Sequence, residues 1–227
     1  MSGQPDPGPL IGYHASHEQL PPSELLGCVV AAESAGFQAA MCSDHFAPWS
    51  SRQGHSGFAW SWLGAALQAT GLDFGVVNAP GQRYHPAIIA QAAATLSELF
   101  PGRYWLALGS GEASNEHITG GRWPPKAERR ARLGEAVAVI RALLAGETVT
   151  HDGLVTVDQA RLWTLPERPP RLHSSRRACE SARIAKRPPG VVTTRSRPRE
   201  RKRMRTVRDP ERRPRLPATS RATSRSV

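Results

Sequence analysis

Short apolar runs alternate with amphipathic stretches four times over the first 145 residues, and each stretch carries its own boundary signals. Leu10 to His14 is an apolar run ending in polar residues, the pattern of a buried strand feeding a loop. Pro21, Pro22 and Ser23 open a helix that carries Leu25, Leu26, Val29, Val30 and Ala32 and stops at Gly36, the residue that most easily takes a left-handed C-cap. Ala39 to Ser43 predicts a second strand. A helix over about Ala59 to Thr70, a strand over Leu72 to Asn78, and a helix from Pro86 to about Phe100 follow. Pro101 and Gly102 break that helix, Tyr104 to Leu108 predicts a fourth strand, and a long amphipathic helix spans about Lys126 to Ala145.

Strands that are nearly continuous in apolar residues, each followed by a helix, predict a parallel sheet covered by helices. A doubly wound sheet and a barrel both satisfy this pattern. Asp152 and Gly153 stand between two β-rich runs, Thr148 to Leu165, and predict a hairpin projecting from the barrel rim.

Beyond Leu172 the composition changes. Residues 173–227 hold sixteen Arg and two Lys against four acidic residues, whereas the rest of the chain carries 12 basic and 15 acidic side chains. The basic excess of +11 therefore belongs to an Arg, Pro and Ser-rich tail with too little apolar surface to offset ordering entropy, and disorder is expected there. The expected organisation is a flexible leader over 1–9, a folded domain over 10–172 and the tail over 173–227. The three cysteines, Cys28, Cys42 and Cys179, show no paired spacing, which fits a reducing cytoplasm. No apolar run is long enough for a membrane span, and the N-terminus lacks the features of a signal peptide.

In a parallel α/β barrel, chemistry collects on the loops after the strands. The polar residues of interest fall there: His14, His17 and Glu18 after strand one, Ser43, Asp44, His45 and Trp49 after strand two, Asn78 after strand three, and Gly109 to Glu116 after strand four. Singly, each has an ordinary structural reading. His45 has the titration range of a general base at neutral pH. Gly109, Ser110 and Gly111 start like a dinucleotide fingerprint, but Ser114 stands at the third glycine position and the stretch follows the fourth strand, so that fingerprint is rejected. Small residues there suit close backbone approach to a flat or anionic ligand, with Glu112 beside it. His14, His17 and Glu18 do not complete a zinc site.

The segments GYHASHEQ, SDHFAPW, RYHPAIIAQAAATLSELFPGRYWLALGSGEASNEH and GETVTHDG resemble, in order and spacing, the luciferase-like flavin-dependent oxidoreductases. Within them the resemblance is to the deazaflavin-dependent glucose-6-phosphate dehydrogenase group and to a branch using ordinary flavin. It covers about residues 10–172 and implies the N-terminal half of a (β/α)8 TIM barrel with a flavin ring across its mouth. By family position, Asp44, Gly109, Ser110, Gly111 and Asn115 would contact FMN or the deazaflavin coenzyme F420, and Val77–Asn78 would form a non-proline cis peptide beside it. His45 would take a proton from a small alcohol-type substrate while hydride passes to the coenzyme. Trp49 would orient His45 and line the substrate site with Glu18, and Glu112 would handle the proton near the ring.

The resemblance ends where the tail begins, which reads like a GC-rich gene translated out of frame. A half barrel is expected to leave strands one and four with open edges and to be poorly stable, or to rebuild a closed sheet as a homodimer. The alternatives are a luciferase-like monooxygenase acting with molecular oxygen, and non-specific, salt-sensitive binding of polyanions such as nucleic acid by the tail.

Overall fold

The computed structural model describes residues 11–174, and the leader, Cys179 and residues 175–227 of the basic tail lie outside the described residues. The expected alternation is present. β1 (Gly12–Ala15), α1 (Pro22–Ser34), β2 (Ala39–Cys42), α2 (Ala59–Ala69), β3 (Asp73–Asn78), α3 (Pro86–Leu99) and β4 (Tyr104–Leu108) follow one another as four strands and the helices between them. A short helix α4 (Ala113–Glu116) runs into a 3-10 turn, and the long α5 (Lys126–Leu144) precedes the hairpin β5 (Val149–Asp152) and β6 (Thr156–Ala160). Local chemistry accounts for the boundaries. Pro22 occupies the first turn of α1, where its missing N–H costs nothing, and Gly36 takes φ +94° just past the helix end.

All the strand pairs of the main sheet are parallel, in the order β1-β2-β3-β4-β7, where β7 is Arg171–Ser174. This corrects two expectations. The edge of β4 is not open, because β7 pairs with it from Trp105↔Arg171 to Leu108↔Ser174, so among the described residues the outer strands are β1 and β7. The tail does not begin at 173, because His173 and Ser174 belong to that strand. The hairpin forms where expected, with Asp152 as the last residue of β5.

One core joins the helices to one face of the sheet. Phe74, Val76, Tyr104 and Leu106 are buried there with Leu25 and Val29 of α1, Leu63 and Leu67 of α2, Ile89 of α3 and Ile140 and Leu143 of α5. The opposite face borders a hollow of about 500 Å³ lined by His14, Met41, Asp73, Trp105, Arg171 and His173 among others. The register explains how the largest of these side chains fits. Gly75 pairs with Trp105, and a Cβ at Gly75 would lie 2.0 Å from the indole ring, so the missing side chain is what lets Trp105 lie over the sheet.

The resemblance implies a cis peptide at Val77–Asn78, but no peptide bond among the described residues is cis. The β3 ladder continues through Val77↔Ala107 and Asn78↔Leu108, and Gly109 N–H donates to Asn78 O at 2.8 Å, a pairing that extended trans backbone supplies without the roughly 3 kcal/mol cost of a cis bond.

Gly75→Ala is expected to destabilise the domain by roughly 1–3 kcal/mol, and Gly75→Ala with Trp105→Leu to recover most of that loss in thermal melts. A single variant that melts with the wild type would show that the indole is not held against Gly75.

Candidate active site

The C-terminal ends of β2, β3 and β4 and the loops that follow them enclose a cavity of about 770 Å³. Its wall includes nine residues singled out from the sequence: Asp44, His45, Val77, Asn78, Gly109, Ser110, Gly111, Glu112 and Asn115. Glu116, the last residue of the Gly109 to Glu116 stretch, lines it as well, and so do Arg83, Lys126, Arg129 and Arg130, which sequence reasoning did not single out. A charged residue in a loop or at the start of an amphipathic helix looks like a solvated one until the fold shows what it faces.

A buried charge cluster joins the three loops. Asp44, 3% exposed, accepts through Oδ2 from Asn78 Nδ2 at 2.5 Å and through Oδ1 from Tyr84 OH at 3.1 Å. Arg83 places Nη1 3.6 Å from Asp44 Oδ1 and Nε 3.6 Å from Glu116 Oε1, while its Nη2 donates to Asp44 O at 2.7 Å. The backbone N–H of Arg83 also donates to Glu116 Oε2 at 2.7 Å. Burial pushes the carboxyl of Asp44 up, against Arg83 and the bonds from Asn78 and Tyr84. Burial likewise pushes Glu116 up, against its backbone bond from Arg83 and the guanidinium charge. Asn115 ties in the next segment, its Oδ1 accepting from the N–H groups of Phe46 at 2.9 Å and Ala47 at 3.2 Å.

Behind this cavity lies a second polar pair. His45 Nδ1 is 2.5 Å from Glu18 Oε1, and Ser16 Oγ and Ser43 Oγ donate to Glu18 Oε2 at 2.5 and 3.0 Å. Burial alone would raise the Glu18 carboxyl, but the bonds from His45, Ser16 and Ser43 outweigh it and hold the group down at about 2. An ionised carboxylate only accepts, so His45 Nδ1 is the donor in this bond. Ser56 Oγ further fixes the loop by donating to His45 O at 2.5 Å.

Two expected substrate contacts are placed differently. Glu18, 1% exposed, is not among the residues lining the cavity, because its oxygens are occupied by His45, Ser16 and Ser43. Trp49 is also absent from that lining and is 63% exposed, but its ring meets the His45 imidazole edge-on at 5.1 Å and 83°. It packs against the histidine from the solvent side. His14 lies on the opposite sheet hollow, and His17 is buried against Trp62 with neither ring nitrogen hydrogen-bonded among the described residues.

The site has room for a flat polar ring. Gly111 takes φ +75°, and a Cβ there would crowd Glu116 Cγ at 3.2 Å and Ala79 Cβ at 3.4 Å, so its absence opens the floor between the loops. Asn78 Oδ1 is a buried acceptor with no partner among the described residues, suited to an N–H donor on such a ring.

A family model described as luciferase-like monooxygenase matches residues 9–210. The chain is 49% identical over 162 residues to an F420-dependent glucose-6-phosphate dehydrogenase of Beutenbergia cavernae, covering 70% of this chain and 47% of that protein. The same-named protein of Mycolicibacterium smegmatis is 46% identical over 162 residues, covering 69% and 48%. The chain thus spans about half the length of the curated relatives it matches. Among solved structures, an F420-dependent secondary alcohol dehydrogenase in complex with an F420-acetone adduct superposes with TM-score 0.69 and 41% identity, covering 72% of this chain and 51% of that one. The FMN-bound oxygenating constituent of 3,6-diketocamphane monooxygenase from Pseudomonas putida, 19% identical with TM-score 0.59 over 73% and 51% of the chains, shares the fold.

Burial lowers the His17 imidazole to about 4. Between its unfolded value near 6.5 and that value, the unfolded chain binds the extra proton, so this contribution is intact above pH 6.5 and is lost as pH falls toward 4. The Glu18 contribution is lost only below about 4.5, as pH falls toward 2. In denaturant melts, the wild type is expected to lose about 2 kcal/mol more than His17→Phe between pH 7 and 4.5. Parallel pH dependence in the two proteins would contradict a buried neutral His17.

Proposed function

The chain belongs to the luciferase-like monooxygenase family, and from that membership and the cavity geometry we propose that its site serves hydride transfer between a small alcohol-type substrate and a deazaflavin or flavin coenzyme. The observation that carries this reading is the His45–Glu18 pair: an imidazole whose Nδ1 is committed to an ionised carboxylate, on a residue that lines the cavity. The coenzyme-dependent dehydrogenases among the relatives support F420 ahead of FMN.

The coenzyme ring, when bound, supplies the hydride acceptor. Gly109, Ser110 and Gly111 would let it approach the backbone, with Asp44, Val77, Asn78 and Asn115 bordering it. As the substrate C–H hydride departs and its carbon becomes a carbonyl, the hydroxyl proton passes to His45 Nε2. Glu18 stabilises the imidazolium that results and keeps the ring from rotating, and Trp49 packs against the imidazole. Glu112 borders the same cavity and would exchange a proton near the ring. A committed base next to the cavity favours alcohol oxidation over oxygen insertion.

The test is reduction of F420, and separately of FMN, by small secondary alcohols and by glucose 6-phosphate, with His45→Asn beside the wild type. His45→Asn is expected to lower kcat by about 10²–10⁴-fold while coenzyme affinity changes less than about threefold. Unchanged turnover would remove His45 from the reaction, and oxygen consumption with reduced FMN but no alcohol oxidation would favour the monooxygenase reading.

A further inference from the structure

The carboxylate beside His45 is loaded unevenly. Ser16 Oγ and Ser43 Oγ both donate to Glu18 Oε2, whereas Glu18 Oε1 meets His45 Nδ1. The two oxygens of a carboxylate are chemically equal, and the torsion that exchanges them is broad and roughly two-fold. Two hydroxyls on one oxygen remove that equivalence and reserve the other for the imidazole. The His45 ring has a similar freedom. A half-turn about its broad χ2 torsion exchanges Nδ1 for a carbon and forfeits the carboxylate bond, so the bond holds the ring only while Oε1 stays in place.

Ser43 is itself anchored by backbone at both ends of its side. Its N–H donates to Ala15 O at 3.3 Å, which carries the β1–β2 pairing one step past Ala15↔Cys42. Its Oγ accepts from the backbone N–H of His17 at 3.1 Å, and the residue is 7% exposed. With that donor on one lone pair, the hydroxyl proton is directed to Glu18, and donation runs from His17 N–H to Ser43 and from Ser43 to Glu18. The other titratable groups whose charge couples to His45 do not compete for Nδ1. The His17 ring nitrogens have no hydrogen-bond partner among the described residues, and the oxygens of Asp44 are taken by Asn78 and Tyr84.

We propose that Ser43, together with Ser16, is a positioning residue: through Glu18 it fixes which ring nitrogen of His45 faces the carboxylate and which is left for the substrate proton. This rests on the reading of His45 as the base and adds the residues that orient it. Neither serine is among the residues lining the cavity, so both act through Glu18.

The experiment uses the full chain as wild type, Ser16→Ala, Ser16→Thr, Ser43→Ala and the double alanine variant, with circular dichroism confirming that each is folded. Nitrogen-15 NMR of histidine-labelled protein, recorded well above neutral pH, reads the tautomer of the neutral His45 ring without coenzyme or substrate, and the signal missing in His45→Asn identifies it. The wild type is expected to carry the proton on Nδ1, the alanine variants to shift toward the Nε2–H form, most in the double variant, and Ser16→Thr, which keeps the hydroxyl, to match the wild type. In reduction of F420 by a small secondary alcohol, the double variant is expected to lose roughly tenfold or more in kcat while KM changes less than about threefold. A folded double variant with the wild-type tautomer overturns the proposal. Ser43→Ala also leaves the buried His17 N–H without its acceptor. If that variant does not fold, Ser16→Ala decides, because among the described residues its lost hydroxyl bonds only to Glu18, and an unchanged tautomer there overturns the proposal. A tautomer shift in proteins that transfer no hydride, the wild type included, keeps the positioning role and removes the alcohol-oxidation reading. Turnover by the wild type with tautomer and kcat unchanged in the variants does the reverse.

Discussion

Arg83 lies between two buried carboxylates, 3.6 Å from Asp44 Oδ1 and 3.6 Å from Glu116 Oε1, and the candidate site depends on that arrangement. The three residues come from the ends of three successive strands: Asp44 from the loop after β2, Arg83 from the loop after β3, and Glu116 from the short helix after β4. Burial raises both carboxyls, and the guanidinium is what makes their ionised forms tolerable. Removing one partner from such a set costs on the order of 3–5 kcal/mol, because it leaves charge buried without compensation. The contribution of the cluster is therefore geometric, since loops that would otherwise move independently are held in one arrangement around a common cavity.

With Asp44, Arg83 and Glu116 committed to one another, the proposed chemistry falls to the remaining groups. Glu18 stays out of the cavity lining, bonded to Ser16, Ser43 and His45. His45 lines the cavity as the proposed base, and Lys126 and Arg129 line it from α5. Asn115 connects the two ends, because its carbonyl oxygen caps the backbone just after His45 while the residue itself lines the cavity. The parallel sheet makes this convergence possible by delivering every loop to the same rim.

Much of this was legible in the sequence because the signals were local. Apolar runs, Pro22 at a helix start, Gly36 at a helix end and Pro101-Gly102 after α3 placed the elements of the alternating region within a few residues. The polar residues after each strand and the family resemblance then pointed to nine residues of the cavity wall. What was missed depends on distant partners. β7 contains one aliphatic residue, Leu172, after two prolines, and it is a strand because β4 offers it an edge. Arg83 and Glu116 are 33 residues apart and were invisible as a pair, although Glu116 closes the Gly109 to Glu116 stretch that was read as part of the rim. Glu18 was read as a substrate contact because sequence position does not reveal that three hydroxyl and imidazole donors saturate it from behind.

Hydrogen exchange measured by mass spectrometry, with and without the deazaflavin coenzyme, tests most directly whether the locked loops form one ligand site. Binding at this cavity predicts slower exchange in residues 43–47, 78–84 and 109–116 together, at the same coenzyme concentration, with the buried strands β3 and β4 unchanged. Protection confined to one of these loops, or appearing only away from them, would contradict a shared site built on the Asp44–Arg83–Glu116 cluster.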